Sequence, residues 1–367
     1  MSDADVLIVG AGIIGCAVGC ELARRGARVR IVDSRSVGAG ATQASAGVLA
    51  PHIEAHERGP LLDLTIRSLN LFDDWIEQVR ADSGVTIEYR RCGTLEVALD
   101  DAAADRMRHA ASPGGPMVWL DRDAARAKEP SLPESTRGAL DVALHGYVAV
   151  PSLTDGLAWA SLRHGAEIEA NRRIVQIDPD GAQLRVTAED RTSWSATTVV
   201  VAAGSWSSSF HQGSRVAQSV RPIRGQLLRL RWNHDPLRHI LWGPDCYVVP
   251  WTDGTVLVGA TVEDVGFDER TTAAGVRDLL DAVCELLPGA WSATFLEARA
   301  GLRPATADGL PIIGRSATVP GLVYATGHYR NGILLAPLTA ALVADCVFGD
   351  GTDPALKLVE PARSPQS

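Results

Sequence analysis

None of the six cysteines, Cys16, Cys20, Cys92, Cys246, Cys284 and Cys346, belongs to a C-x-x-C pair, and none falls in a cluster with metal-ligand spacing. A disulfide framework or a structural zinc site is not expected, and free thiols suit a reducing cytoplasm. A basic surplus is also missing. With 35 Lys and Arg against 44 Asp and Glu, the formal net charge is −9, the wrong sign for general binding to nucleic acid or to an anionic membrane. Long apolar runs are scarce too: the most apolar stretch, Ile333 to Phe348, is broken by Pro337 and Asp345 and is short for a bilayer span. No basic, apolar leader opens the chain, so secretion is not expected. What remains is 367 residues with 46% hydrophobic and 22% charged content, enough for two domains or one large domain with an inserted lobe. Only the tail Ser364 to Ser367 reads as disordered. The composition points to a soluble cytoplasmic protein with small-molecule partners, and leaves a homo-oligomer open.

The first recognisable unit is short. Val6-Leu-Ile-Val9 is a continuous run of strand formers, as a parallel strand buried on both faces requires. It runs into Gly10-Ala-Gly12-Ile13-Ile14-Gly15, then a helical pattern from Ile13 to Arg25 that closes at Gly26, then a second strand ending at Val32-Asp33-Ser34. The glycines permit a tight turn and close backbone approach, the helix start offers unpaired N–H groups to a pyrophosphate, and Asp33 can accept from ribose hydroxyls while repelling a 2′-phosphate. This βαβ unit predicts dinucleotide binding. No second strand-glycine-helix unit of this kind occurs, so the substrate itself is expected to exchange electrons with the bound group, either a flavin or a nicotinamide. The far end of the chain favours flavin. Gly321-Leu-Val-Tyr-Ala325 reads as another short strand, followed by Thr326-Gly327-His328-Tyr329-Arg330-Asn331-Gly332 and a helix from Ile333 to Val347, whose N-terminus could face a flavin that becomes negative on reduction.

Further segments carry a resemblance. They are Ala41 to Ala50, Arg91-Cys-Gly-Thr-Leu95, Val199 to Trp206, Tyr247-Val-Val-Pro250, Val258-Gly-Ala-Thr261, Gly301-Leu-Arg-Pro-Ala-Thr-Ala-Asp-Gly-Leu-Pro311 and Gly327 to Pro337. In this order, together with Gly10 to Gly15, they make the chain similar to the glycine oxidase branch of the D-amino-acid oxidase and sarcosine oxidase family. The resemblance implies an α/β fold, with a discontinuous Rossmann-type FAD-binding domain (residues 1–85, 150–218 and 300–367) and an inserted antiparallel-sheet substrate-binding domain (86–149 and 219–299). The residues agree independently: Thr94 to Leu99, Gln226 to Arg231, Tyr247 to Pro250 and Thr255 to Gly259 read as strands, with a turn at Thr252-Asp-Gly254.

For chemistry, the resemblance implies that Arg303 holds the substrate carboxylate, a task that suits a planar and permanently charged fork. A buried ion pair of Arg303 with Asp308 or Glu297 is the structural alternative. Tyr247 is implied as a second donor to the carboxylate, against simple packing at a strand start, and Arg330 as a support for the carboxylate or flavin, against a surface role. No general base stands out. His328 reads as a loop histidine bonding backbone or flavin rather than as an acid or base, and His52 and His56 at i, i+4 spacing lack a metal-site pattern. Noncovalent FAD is expected on Gly10, Gly12, Ile13, Ile14, Gly15, Asp33, Ser34, the loop Thr42, Ser45, Ala46 and Gly47, then Val175, Gly204, Gly327, His328, Arg330, Asn331, Gly332 and Ile333. Two departures from the family, Val48 and Asp245, bear on the substrate. The implied reaction is oxidative deamination of glycine, sarcosine or a small D-amino acid by hydride transfer from Cα to flavin. It gives an imine, then a 2-oxo acid with ammonia or an amine, and hydrogen peroxide from dioxygen, with a link to thiamine biosynthesis. A dehydrogenase using a quinone or carrier, a non-catalytic flavin-binding module and a nicotinamide-dependent dehydrogenase are the alternatives.

Overall fold

The computed structural model describes residues 4–54, 59–111, 114–210, 219–349 and 351–363. His56 and the tail Ser364 to Ser367 lie outside them.

The expected βαβ unit forms from strand Ala4–Val9, helix Ile13–Arg24 and strand Val29–Val32. Its first strand lies between Val29–Val32 and Ser193–Val201, parallel to both. That position explains the unbroken apolar run. Val6 and Ile8 join the core shared with helices Ile13–Arg24 and Gly332–Phe348, whereas Leu7 and Val9 project into a second core with Val186, Trp194 and Val199. Helix Ile13–Arg24 is buried at ten of its twelve positions, the mark of a helix packed on several sides rather than an amphipathic surface helix. Leu22 is fully buried there, and its truncation to alanine costs about 2–5 kcal/mol. The strand Leu322–Thr326, followed by helix Gly332–Phe348, completes this sheet by pairing in parallel with the end of Ser193–Val201. Residues some 300 positions from the first strand thus join its sheet, one strand away across Ser193–Val201.

A second eight-stranded sheet runs in the order 294–305, 221–231, 255–259, 247–250, 240–242, 94–98, 138–142, 118–121. Its pairings are antiparallel except one: Ile240–Trp242 runs parallel to Thr94–Ala98, a departure from the purely antiparallel expectation. Period-two alternation gives the sheet two apolar faces. Leu228, Leu230, Val248, Val256 and Val258 pack with Leu279, Val283 and Leu286 of helix Ala273–Leu286, while Leu227, Val249 and Leu257 turn to the opposite face with Ala46 and Tyr147. Strand Thr294–Ala305 pairs along its whole length with Arg221–Arg231, so residue 300 falls inside an element of this sheet. A small third sheet joins Val48–Leu49, Gly146–Val148 and Tyr89–Arg90. Among the described residues no helix is long and apolar enough to cross a membrane.

Candidate active site

A cavity of about 970 Å³ opens where the carboxyl ends of the parallel strands meet the second sheet. Open α/β sheets bind ligands at this edge, and the volume lies at the upper end of small-molecule sites, roughly 300–1,000 Å³. One wall holds Gly10, Gly12, Ile13, Ile14, Asp33, Ser34, Thr42, Ser45, Ala46, Gly47, Val175 and Gly204. Tyr247 and Arg303 line the cavity from the second sheet, and His328, Arg330, Asn331, Gly332 and Ile333 line it from the loop and start of helix Gly332–Phe348. Gly15 and Gly327 do not line the cavity. A Cβ on Gly15 would stand 1.8 Å from the Gly10 carbonyl, and one on Gly327 would stand 2.7 Å from Thr306 Cγ2, so both allow close packing behind the lining.

The glycine-rich turn is locked by its neighbours. Gly10 adopts φ +113°, and Asp33 accepts from the Ala11 N–H at 2.6 Å and the Arg35 N–H at 2.8 Å. Thr42 accepts from the Ile13 N–H at 3.0 Å, leaving its own proton available for a ligand. Ser45 accepts from the Gly47 N–H at 3.3 Å. Neither N-cap residue, Gly12 of helix Ile13–Arg24 or Asn331 of helix Gly332–Phe348, supplies a side-chain cap of its own. Both helix starts face the cavity with first-turn N–H groups that have no intrahelical partner.

Arg303 and Tyr247 are delivered by the second sheet, and each lies across a glycine. A Cβ on Gly225 would be 2.2 Å from the Arg303 guanidinium, and one on Gly259 would be 2.4 Å from the Tyr247 hydroxyl. Gly259 is the direct cross-strand neighbour of Tyr247, and Trp242 stacks at a tilt on the tyrosine ring at 4.9 Å. Arg303 Nη1 donates to the Thr261 carbonyl at 2.9 Å and to the Arg224 carbonyl at 3.4 Å. Of the two carboxylates considered as its structural partners, Asp308 accepts from two nitrogens of Arg363 at 2.8 and 3.0 Å, and Glu297 accepts from Arg299 at 2.7 Å. Arg330 is exposed at the rim, its guanidinium 5.5 Å from the Tyr329 ring centre. Tyr329 holds a left-handed φ of +49°, and its N–H donates to the Pro304 carbonyl at 2.9 Å.

His328 is buried and bonds Thr339 Oγ1 at 3.0 Å. Burial lowers its imidazole to about 3, so it is neutral near pH 7 and does not serve as a proton-bearing acid there. His52 stacks on His145, with Nδ1 and Nε2 3.1 Å apart. No group of three or more potential metal ligands occurs among the described residues. The sequence reading missed Gly225, Gly259, Thr261 and Trp242 as residues that shape the site. A glycine inside a strand pattern, as in Arg224-Gly-Gln226, signals close approach by another group, and that signal was present.

A family description, DAO, FAD dependent oxidoreductase, matches residues 5–346. The chain belongs to this family. It is 36% identical over 351 residues to a glycine oxidase of Geobacillus kaustophilus, across 94% of this chain and 92% of that protein. It is 33% identical over 365 residues to a bifunctional protein ThiO/ThiG of Synechocystis, where 98% of this chain spans only 54% of the relative. The crystal structure of the Geobacillus glycine oxidase superposes with a TM-score of 0.93, covering 99% of both chains at 33% identity. The cofactor of this DAO-family chain is FAD. The cavity fits it: two helix starts that face it can meet phosphate and flavin oxygens, and the glycine turn lets the backbone approach a pyrophosphate. The family's expected α/β architecture, a parallel nucleotide-binding sheet beside a mainly antiparallel one, is the one observed.

Proposed function

We propose that this FAD-dependent amine oxidase acts on glycine, sarcosine or a small D-amino acid, yielding an imine that hydrolyses to a 2-oxo acid with ammonia or a primary amine. The observation that carries the reading is that Arg303 and Tyr247 of the second sheet line the same cavity as the starts of helices Ile13–Arg24 and Gly332–Phe348. FAD, when bound, supplies the electron sink that takes a hydride from the substrate Cα, with dioxygen as the final acceptor and hydrogen peroxide as product.

The chain's own work is placement. Arg303 offers a planar, charged fork to the substrate carboxylate, and the Tyr247 hydroxyl adds a donor to the same group. Neutral His328 provides no competing acid. With the amine bound neutral, its lone pair assists hydride departure, so orientation provides much of the rate advantage. Arg330, in the loop ahead of the last helix, supports the carboxylate or the flavin from the rim. Val48 and Asp245 also line the cavity, and an acid two residues from Tyr247 favours a cationic or bulkier amine. The two-domain division along residues 1–85, 150–218 and 300–367 against 86–149 and 219–299, noncovalent FAD and a cytoplasmic location belong to the same reading. The ThiO/ThiG relatives support a place in thiamine biosynthesis.

Anaerobic mixing of the flavin-loaded protein with glycine, sarcosine and D- and L-amino acids tests this directly. Flavin bleaching by glycine, sarcosine or small D-amino acids is expected, and in air one peroxide should form per imine. Bleaching by none of them would overturn the substrate class, and imine without peroxide would replace dioxygen by another acceptor.

A further inference from the structure

The Arg303 guanidinium is aimed by the carbonyl of Thr261, which accepts from Nη1 at 2.9 Å. Thr261 lies just beyond strand Thr255–Gly259, in a segment that stays alongside Arg221–Arg231. The Thr261 N–H donates to the Gln226 carbonyl at 3.2 Å, and Arg224 and Glu263 exchange backbone bonds at 2.8 and 3.0 Å. Side chains tie the same segment a second time. The Thr261 hydroxyl accepts from the Gln226 N–H at 2.8 Å and donates to Glu263 Oε1 at 2.6 Å. Gln226 Nε2 donates to that oxygen at 2.7 Å, and Arg224 Nη2 donates to Glu263 Oε2 at 2.5 Å. The network is anchored beyond Glu263 as well: Arg224 is 4% exposed and also pairs with Asp268 at 3.0 Å. Gln226 accepts from the Thr272 N–H at 2.8 Å, and the Thr272 hydroxyl caps helix Ala273–Leu286 through the Gly275 N–H at 3.2 Å.

One carboxylate therefore gathers three donors, two from strand Arg221–Arg231 and one from the segment just beyond Thr255–Gly259. Burial alone would raise the Glu263 carboxyl, but the bonds from Arg224, Thr261 and Gln226 outweigh it and hold it down at about 2. It stays ionised throughout the working range. Its charge is matched by Arg224, and the Thr261 carbonyl gives the Arg303 guanidinium a directed hydrogen-bond partner.

We propose that Glu263 is a positioning residue: by fixing Thr261 it fixes the carbonyl that points the Arg303 guanidinium at the substrate carboxylate. This rests on the reading of Arg303 as the carboxylate clamp. A misplacement near 1 Å in such a clamp lowers efficiency on the order of a hundredfold, so a loosened clamp should weaken carboxylate binding at least about tenfold.

The test uses holoenzyme variants Glu263→Gln, Thr261→Val, Thr261→Ser and Arg303→Lys, with acetate titrated against the flavin absorbance and glycine turnover measured in parallel. Glu263→Gln and Thr261→Val should raise the acetate Kd and the glycine KM at least about tenfold with kcat within about threefold, while Thr261→Ser, which keeps the hydroxyl, stays near wild type. If Glu263→Gln yields no flavin-loaded protein, the Thr261 pair decides. Wild-type acetate binding in Glu263→Gln or Thr261→Val beside a weakened Arg303→Lys would overturn the positioning role and leave the clamp standing. Equal loss of kcat and flavin in Thr261→Val and Thr261→Ser would make the network merely structural and overturn it too. Unchanged acetate binding in Arg303→Lys would remove the clamp itself, and the inference with it.

Discussion

Replacing Gly225 by alanine separates the site from the fold. The added Cβ would stand 2.2 Å from Cζ and both terminal nitrogens of Arg303, the nearest atoms it would meet, so the guanidinium must retreat by about 1.2 Å to reach ordinary contact. Gly225 has no left-handed backbone to lose, and alanine is favoured over glycine inside a strand by roughly 0.5–1 kcal/mol. The obstacle is the far end of a flexible side chain, so the fold accommodates the methyl and the clamp moves. A shift of this size costs about a hundredfold in kcat/KM, or about 2.7 kcal/mol of transition-state stabilisation. The assay is peroxide formation from glycine over a range of concentrations, with Tm and bound flavin measured on the same samples. The expected pattern is an unchanged or slightly raised Tm, full flavin content and a kcat/KM lowered about a hundredfold. Wild-type kcat/KM with alanine at this position would refute the reasoning, because the guanidinium would then have to work from somewhere other than above Gly225.

Other outcomes follow from the same geometry. Arg303→Ala should lose about 2–5 kcal/mol of transition-state stabilisation with flavin content preserved, read from kcat/KM and the 450 nm band. Asp33→Ala removes the acceptor for the Ala11 and Arg35 N–H groups, and FAD should bind about ten- to a hundredfold more weakly, measured by flavin fluorescence on dilution. Asp245→Asn should lower the preference for cationic or bulky amines relative to glycine, measured as a ratio of kcat/KM values; an unchanged ratio would remove Asp245 from specificity. Burial lowers the imidazoles of His328 and His145 to about 3, against an ordinary value of 6.5. The unfolded chain therefore takes up protons near 6.5 that the folded chain refuses until about 3. This contribution to stability is complete above 6.5 and is lost as pH falls towards 3, at up to about 1.4 kcal/mol per pH unit for each histidine. Urea midpoints should drop between pH 7.5 and 5.5, and a flat profile would contradict it.

What could be read along the chain was what local pattern encodes. The unit from Val6 to Asp33 and the strand-loop-helix from Leu322 to Phe348 were legible because parallel strands buried on both faces are continuously apolar and each runs into a glycine-rich turn. Arg303 and Tyr247 were reached only through resemblance, since nothing within a few residues of either shows that Gly225 and Gly259 make room for them. That fact lives in the register of strands far apart in sequence. The Thr261–Glu263 network is hidden for the same reason, and so is the pairing of His52 with His145, 93 residues away. The parallel contact of Ile240–Trp242 with Thr94–Ala98 escaped because three-residue strands carry almost no periodicity. Gly15 and Gly327 are expected from the motif to contact FAD but do not line the cavity, because whether such a glycine faces a ligand or packs behind it depends on the neighbouring chain, not on the motif.

The most direct measurement is a crystal structure of the flavin-loaded protein with acetate bound. The account predicts the acetate carboxylate on the Arg303 guanidinium at about 2.7–2.9 Å, with the Tyr247 hydroxyl on the same carboxylate and the methyl group turned towards the flavin. Acetate seated on another cation, with Arg303 directed away from the flavin, would contradict it.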